Sequence, residues 1–184
     1  KCVDLSIDSD IENLTNHNLI KWRYFGDKIG SGYLKLENKI ESFYKMDFSF
    51  IDSYFFVNDS IWSIDSGNRI VLDSVRFNIN QLSLGNQQQH LIIDGDVSSS
   101  QNDTLDIDLK KIDLAFVTSL LPENSVNLKG KANGESAIVS AYKDLSITTN
   151  LELTDLIIND VEVGESNLES IWDSESKSLL IDGN

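Results

Sequence analysis

The chain has 184 residues, is 40% hydrophobic and 9% aromatic, and carries 15 Lys and Arg against 30 Asp and Glu, a formal charge of −15. That balance belongs to a folded chain with a core rather than a disordered tail. A surface of that sign repels phosphates and anionic headgroups, which argues against nucleic-acid binding and against electrostatic docking on an acidic membrane.

In chain order, strand-like sequence begins near Leu5, and the aromatic-rich runs LIKWRYF, GYLKLENKI, YKMDFSFI and SYFFVN predict four strands. Strict alternation follows. SVRFNI sets Val75, Phe77 and Ile79 on one face, and LIIDGDV does the same with Leu91, Ile93 and Val97. TLDIDL aligns Leu105, Ile107 and Leu109, and LSITTNLEL aligns Leu145, Ile147, Leu151 and Leu153. The residues between are mostly Asp, Asn, Ser, Lys and Arg, the pattern of strands with one wet and one dry face. Asp94, Asp106 and Asp108 are therefore expected on the wet side.

DLAFVTSLLPENS departs from this pattern. Leu114, Val117 and Leu121 recur at helical spacing, with Phe116 and Leu120 beside them. Asp113 is a suitable N-cap, and Pro122, the only proline, disfavours helix in the residue before it. The spacing predicts one short helix over 114–120.

The alternation also changes phase within single segments. In VRFNINQLSLG the apolar set passes from Ile79 to Leu82 and Leu84; in LELTDLIINDVEVG it passes from Leu153 to Leu156 and Ile158, then to Val161 and Val163. A slip of one residue turns every later side chain to the other face. Bulges or tight corners at Asn80–Gln81, Thr154–Asp155 and Asn159–Asp160 would absorb the slips and keep apolar residues inside.

Two phrases recur. LIIDG at Leu91–Gly95 returns as LLIDG at Leu179–Gly183, and INQLSLGN at Ile79–Asn86 resembles INDVEVGE at Ile158–Glu165. Similar units stacked in an array would produce such recurrence, and a chain that opens on Lys and closes within the second phrase reads as a piece of a longer one.

Chemistry-bearing motifs are sparse. His17 and His90 lie beside expected turns, without the three or four ligands of a zinc site. SIDSDIEN offers Asp8, Asp10 and Glu12 without a turn glycine, and DGDVSSSQND offers Asp94 and Asp96 without a closing Glu, so neither makes a calcium loop. No nucleophile motif or phosphate loop is present. The one cysteine, Cys2, excludes an internal disulfide and follows Lys1 rather than a visible signal peptide. No apolar run reaches the ~20 residues of a membrane helix. No enzyme activity or cofactor is expected. Gly95, Gly130, Gly134 and Gly183 fall inside strand patterns, where glycine marks a bulge or a curl of the sheet around a ligand. Trp62 and Trp172, each after Ile, read as core anchors or groove walls.

From Asp59 to Asn184 the chain resembles the C-terminal region of the TamB family of Gram-negative envelope proteins. The phrases that carry it are SIWSIDSGNRI, VRFNINQLSLGNQQQHLIIDGDVS, DTLDIDLKKIDLAFVTSLL, VNLKGKANGESAIV and NLELTDLIINDVEVGESNLESIWDSESKSLLIDG, in that order, with Gly164, Trp172 and Asp173 in the family's closing unit. Residues 1–58 carry no such phrase. The resemblance implies an elongated, curved, antiparallel all-β sheet with an apolar concave face, the β-taco. It also implies residence in the periplasm on a full-length protein anchored in the inner membrane. The implied role is passage of phospholipid along a groove, support of outer-membrane protein assembly, or both, with an outer-membrane assembly-factor barrel as partner.

On this reading residues 1–184 form one β-rich domain. Val75, Phe77, Ile79, Leu91, Ile93, Leu105, Ile107, Leu109, Leu151, Leu153 and Trp172 line the groove against an acyl chain. The isolated piece is expected to self-associate edge to edge. Two other readings stand beside it: a module that adds a client strand to its own sheet, and a plain β-sandwich adhesin.

Overall fold

The computed structural model describes residues 2–12, 15–25, 30–42, 45–57, 60–120, 126–173 and 178–183. In chain order the elements are β1 (Cys2–Glu12), β2 (Thr15–Phe25), β3 (Ser31–Ser42), β4 (Lys45–Val57), β5 (Ser60–Ile64), β6 (Arg69–Leu72), β7 (Phe77–Gly85), β8 (His90–Val97), β9 (Thr104–Asp113), α1 (Leu114–Leu120), β10 (Leu128–Val139), β11 (Ser146–Ile158), β12 (Val161–Asp173) and β13 (Ser178–Gly183). As the alternation predicts, the described residues are nearly all β, 78% strand with one short helix, in a single antiparallel sheet of 13 strands. Strand order follows sequence order, except that β6 pairs with β4 and β7 off the main path. The chain divides into two compact units, residues 1–87 with 93–96 and residues 88–92 with 97–184.

The helix falls where its spacing placed it, and Asp113 caps it by accepting the Ala115 N–H at 2.9 Å. The Thr118 hydroxyl accepts the Leu128 N–H at 3.1 Å, which ties α1 to the start of β10. Pro122 lies outside the described residues.

The phase slips are resolved by residues in the left-handed region. Gln81 has φ 47°, Asp155 φ 52°, and Asn159 and Asp160 φ 48° and 67°. At Asp155 three steps of β11 oppose two of β10, so Leu153 and Leu156 keep one face. The same device recurs at two positions without a visible phase slip. Asp52 (φ 45°) bulges β4 against β3, and Lys111 (φ 52°) bulges β9 against β10. YKMDFSFI and SYFFVN are thus one 13-residue strand rather than two. A Gln or Lys at positive φ is costly, and a bulge takes an N–H out of the ladder. Side chains across the sheet supply the missing acceptors: Asp94 Oδ1 for Gln81 N–H at 2.8 Å, and Asn133 Oδ1 for Lys111 N–H at 2.9 Å.

Asn159 and Asp160 form a two-residue hairpin turn between β11 and β12, both at positive φ as a type I′ turn requires. The two IN phrases therefore build different things, a left-handed residue within β7 at the first and a reversal of the chain at the second. Gly130 (φ 120°) and Gly134 (φ 137°) stand where the facing strand closes in. A Cβ on Gly134 would sit 2.1 Å from the Asn150 carbonyl oxygen.

Candidate functional site

Strand register shows which side chains share a face. In the second unit four cross-strand rows stack on the apolar side. One joins Leu105 to Ile138 and Ile147. The next joins Ile107, Ser136, Thr149 and Ser170. The third joins Leu109, Gly134, Leu151 and Leu168, and the fourth joins Ile112, Ala132, Leu153 and Ser166. Leu114 of α1 closes the far end, packed with Ala132, Leu153 and Leu156. Trp172 follows Ser170 on the same side by alternation and opposes Leu179.

Leu105, Ile107, Leu109, Leu151, Leu153 and Trp172 thus share one face of this unit. Asp106 and Asp108 point the other way and are exposed. The lining is not purely aliphatic, because the Ile107 row carries three hydroxyls. Ser136 Oγ donates to the Thr148 carbonyl at 3.1 Å and lies 2.9 Å from Thr149 Oγ1, so the row meets part of its own hydrogen-bonding demand.

In the first unit the apolar side is richer in rings. Leu5, Trp22, Gly32, Phe55 and Trp62 form one row across β1 to β5. The Trp22 ring occupies the space above Gly32, where a Cβ would lie 1.9 Å from it. Phe55 and Trp62 stack at 6.2 Å. A second row joins Ile7, Ile20 and Leu34, and a third joins Asn38, Phe48, Ile70 and Ile79. Trp62, Ile64, Ile70 and Ile79 are buried, whereas at the other end of the same side Leu5, Ile7 and Ile11 are 60%, 63% and 72% exposed. Among the expected groove residues, Phe77 and Ile79 lie here, opposite Leu72 and Ile70. Val75 sits in the turn before β7 and is 70% exposed. Leu91 and Ile93 alternate in β8 with exposed Ile92 and Asp94.

The β1 to β6 contributors (Leu5, Ile7, Ile20, Trp22, Phe48, Phe55 and Ile70) were missing from the sequence-based list. Their period-two spacing was visible in LIKWRYF and its neighbours, and Trp62 was already marked as an anchor or a wall.

The opposite side of the sheet carries charged side chains together with exposed Tyr54, Ile61, Ile92, Ile171 and Leu180, and the charge is uneven. The first unit holds 9 basic against 14 acidic residues and the second 6 against 16. In the first unit the charges meet across strands. Asp47 pairs with Arg69 and Asp96 with Arg76, and in each case the guanidinium holds the carboxyl below its ordinary range. The Val75 and Arg76 N–H groups hold Asp73 down in the turn. His17 lies within β2 rather than beside a turn, 3.4 Å from Glu37 across the strand pair. Asp94 and Asp96, which the sequence placed near a calcium-loop pattern, are engaged by Gln81, Asn78 and Arg76. Among the described residues no group of three or more His, Cys, Asp or Glu could hold a metal ion, and no helix is long and apolar enough to cross a membrane.

No protein-family model, curated protein or solved structure matches this chain.

Proposed function

We propose that the chain is a non-enzymatic segment of a TamB-like envelope protein whose apolar sheet face carries acyl chains of phospholipid between the inner and outer membranes. The observation that carries this reading is the row structure. Side chains from successive strands fall in register on one side, and wherever the alternation slips a left-handed residue restores it. Keeping the face continuous has a cost, since each non-glycine residue at positive φ is strained. A face open to apolar solute is also supported by the exposure of Leu5, Ile7 and Ile11. An acyl chain on such a face gains about 0.8 kcal/mol for each CH₂ taken from water, without needing a fixed polar contact. A two-sheet sandwich fits less well, because the strands form one ladder.

The test uses Ile107, half-buried at the β9 end of its row. Native mass spectrometry of the purified chain is expected to detect bound phospholipid. Ile107→Arg, which sets a cation on the apolar face at a desolvation cost of several kcal/mol, should stay folded and lose the lipid. Ile92→Arg, on the exposed side of β8, should keep it. A parent chain that never carries lipid, together with an Ile107→Arg chain that unfolds, would reduce these residues to core and end the proposal.

A further inference from the structure

On the apolar side of the first unit the alternation breaks where β2 and β3 lie side by side. Along β2 the apolar side is held by Trp22 and Ile20, and the next two residues on it are Asn18 and Asn16. Along β3 it is held by Leu34 and Leu36, and the next is Asn38. Register brings the three amides together: Asn16 stands opposite Asn38, and Asn18 stands between Ser9 and Leu36. All three are half-buried. Asparagine is depleted in strands, and an amide on a dry face costs stability unless it is bonded.

The hydrogen bonds inside the cluster all run one way. The Ser9 hydroxyl donates to Asn16 Oδ1 at 2.9 Å or to Asn18 Oδ1 at 2.8 Å, and Asn18 Nδ2 donates to Asn38 Oδ1 at 2.6 Å. Each amide oxygen is thus engaged from within, whereas among the described residues the Nδ2 groups of Asn16 and Asn38 have no acceptor. An amide carries two N–H donors, so the surplus of the cluster is N–H. The hydroxyls of the second unit behave differently, because Ser136 donates back to the Thr148 carbonyl.

A surplus of donors takes an acceptor. An anion is disfavoured, since the chain carries a formal charge of −15 and Asp8, Asp10 and Glu12 alternate with Ser9 and Ile11 on β1. A neutral carbonyl oxygen fits better. The amides also lie at one end of the greasy rows, Asn18 being four residues, about 13 Å, along β2 from Trp22. An acyl chain laid along those rows brings its ester end to the donors.

We infer that Asn16, Asn18 and Asn38, oriented by Ser9, form a docking point for the ester carbonyls of a diacyl lipid. The inference rests on the lipid reading above and adds to it a polar contact that holds one end of the solute in the first unit.

The probes are two phosphatidylethanolamines of equal chain length, one diacyl and one dialkyl ether, offered together to the whole chain and read by native mass spectrometry. The ester lipid should be retained about tenfold over the ether, as one or two net hydrogen bonds imply. Asn16→Leu with Asn38→Leu should retain the two equally and hold the ether lipid at least as well as the unaltered chain does; if that pair fails to fold, Asn38→Leu alone should narrow the preference. Asn150→Leu, an exposed amide of the second unit, should leave the preference intact. Equal retention of ester and ether by the unaltered chain would overturn this inference and leave the lipid reading standing, whereas retention of neither would end both. A folded double variant that loses both lipids would make the amides structural and overturn the inference. So would competition by glycerophosphoethanolamine, which keeps the phosphate and lacks both esters.

Discussion

Between β5 and β6 the sheet has a seam, and one side chain closes it. β4 pairs with β6 through Met46–Phe48 and with β5 through Ser53–Val57, and the stretch between them faces the Asp65–Asn68 turn. There Asn68, 4% exposed, takes the place of a strand. Its Oδ1 accepts the Phe50 N–H at 2.8 Å, and its Nδ2 donates to the Phe50 carbonyl at 3.1 Å and to the Asp65 carbonyl. Asn68→Ala removes these three bonds and leaves both backbone groups of Phe50 without that partner. At about 1–3 kcal/mol for each of the two Phe50 backbone groups left dry, the expected loss is about 2–6 kcal/mol. Water entering the vacated space would bring it to the lower end.

Asn68→Asp separates the electrostatics from the packing. The carboxylate still accepts from Phe50 N–H but faces two carbonyl oxygens. Its folded pKa should therefore lie above the unfolded value. The variant should be the weaker of the two at neutral pH and regain stability as pH falls through that raised pKa. Urea unfolding followed by tryptophan emission is the assay, with Trp62 buried in the same unit as reporter. A cost below about 0.5 kcal/mol for Asn68→Ala, the ordinary range of surface substitutions, would refute the reasoning.

Gly134→Ala should destabilise the second unit by several kcal/mol, since the new Cβ would meet the backbone of Asn150 at positive φ, while Gly67→Ala, with nothing within 4 Å, should change little; paired urea titrations decide it. Acid should weaken the first unit. Asp47 and Asp96 have folded pKa values lowered from 3.8, first by the hydrogen bonds from Arg69 and Arg76, so their stabilisation is complete above the unfolded value and is lost as pH falls through the lowered one. Asp47→Asn and Asp96→Asn should each flatten the fall in melting temperature below about pH 4, where unperturbed carboxyls titrate.

Alternation made the faces legible, because a strand that is wet on one side and dry on the other must write a period of two. Leu105, Ile107 and Leu109 share a side for that reason, as do Leu151 and Leu153. The slips at Gln81 and Asp155 were legible too, since a bulge is the cheapest way to keep later apolar residues on the same side. Lys111 was missed because the helix begins so soon after Ile112 that no second phase had time to show. Asp52 was missed for another reason. The aromatics on both sides of it suit either face, and a break between two strands explained the pattern equally well. The difference between Asn80–Gln81 and Asn159–Asp160 was hidden by their shared INx phrase. A left-handed residue within a strand and a type I′ turn read alike, and only the pairing of the following strand tells them apart.

Register was the larger omission, and it bears on the candidate site. Alternation says which residues share a side of one strand but not which meet across strands. Leu109 faces Gly134, which in turn faces Leu151, so that row has a gap in its wall at β10. The Ile107 row turns polar at Ser136, Thr149 and Ser170. A sliding acyl chain would therefore cross a band of hydroxyls between two greasier rows. Because Ser136 already donates to the Thr148 carbonyl and shares a hydrogen bond with Thr149, the band holds its dipoles within the sheet. On the proposed reading it would act on an acyl chain as a region of weaker attraction rather than as a binding site. Weak attraction at intervals lets a long apolar solute move without being held at any one row, so the polar band is compatible with a conduit. The Asn68 seam has no such counterpart in the sequence. An Asn after Gly in DSGNR is an ordinary turn residue, and nothing local states that its amide will stand in for a missing peptide bond on β4.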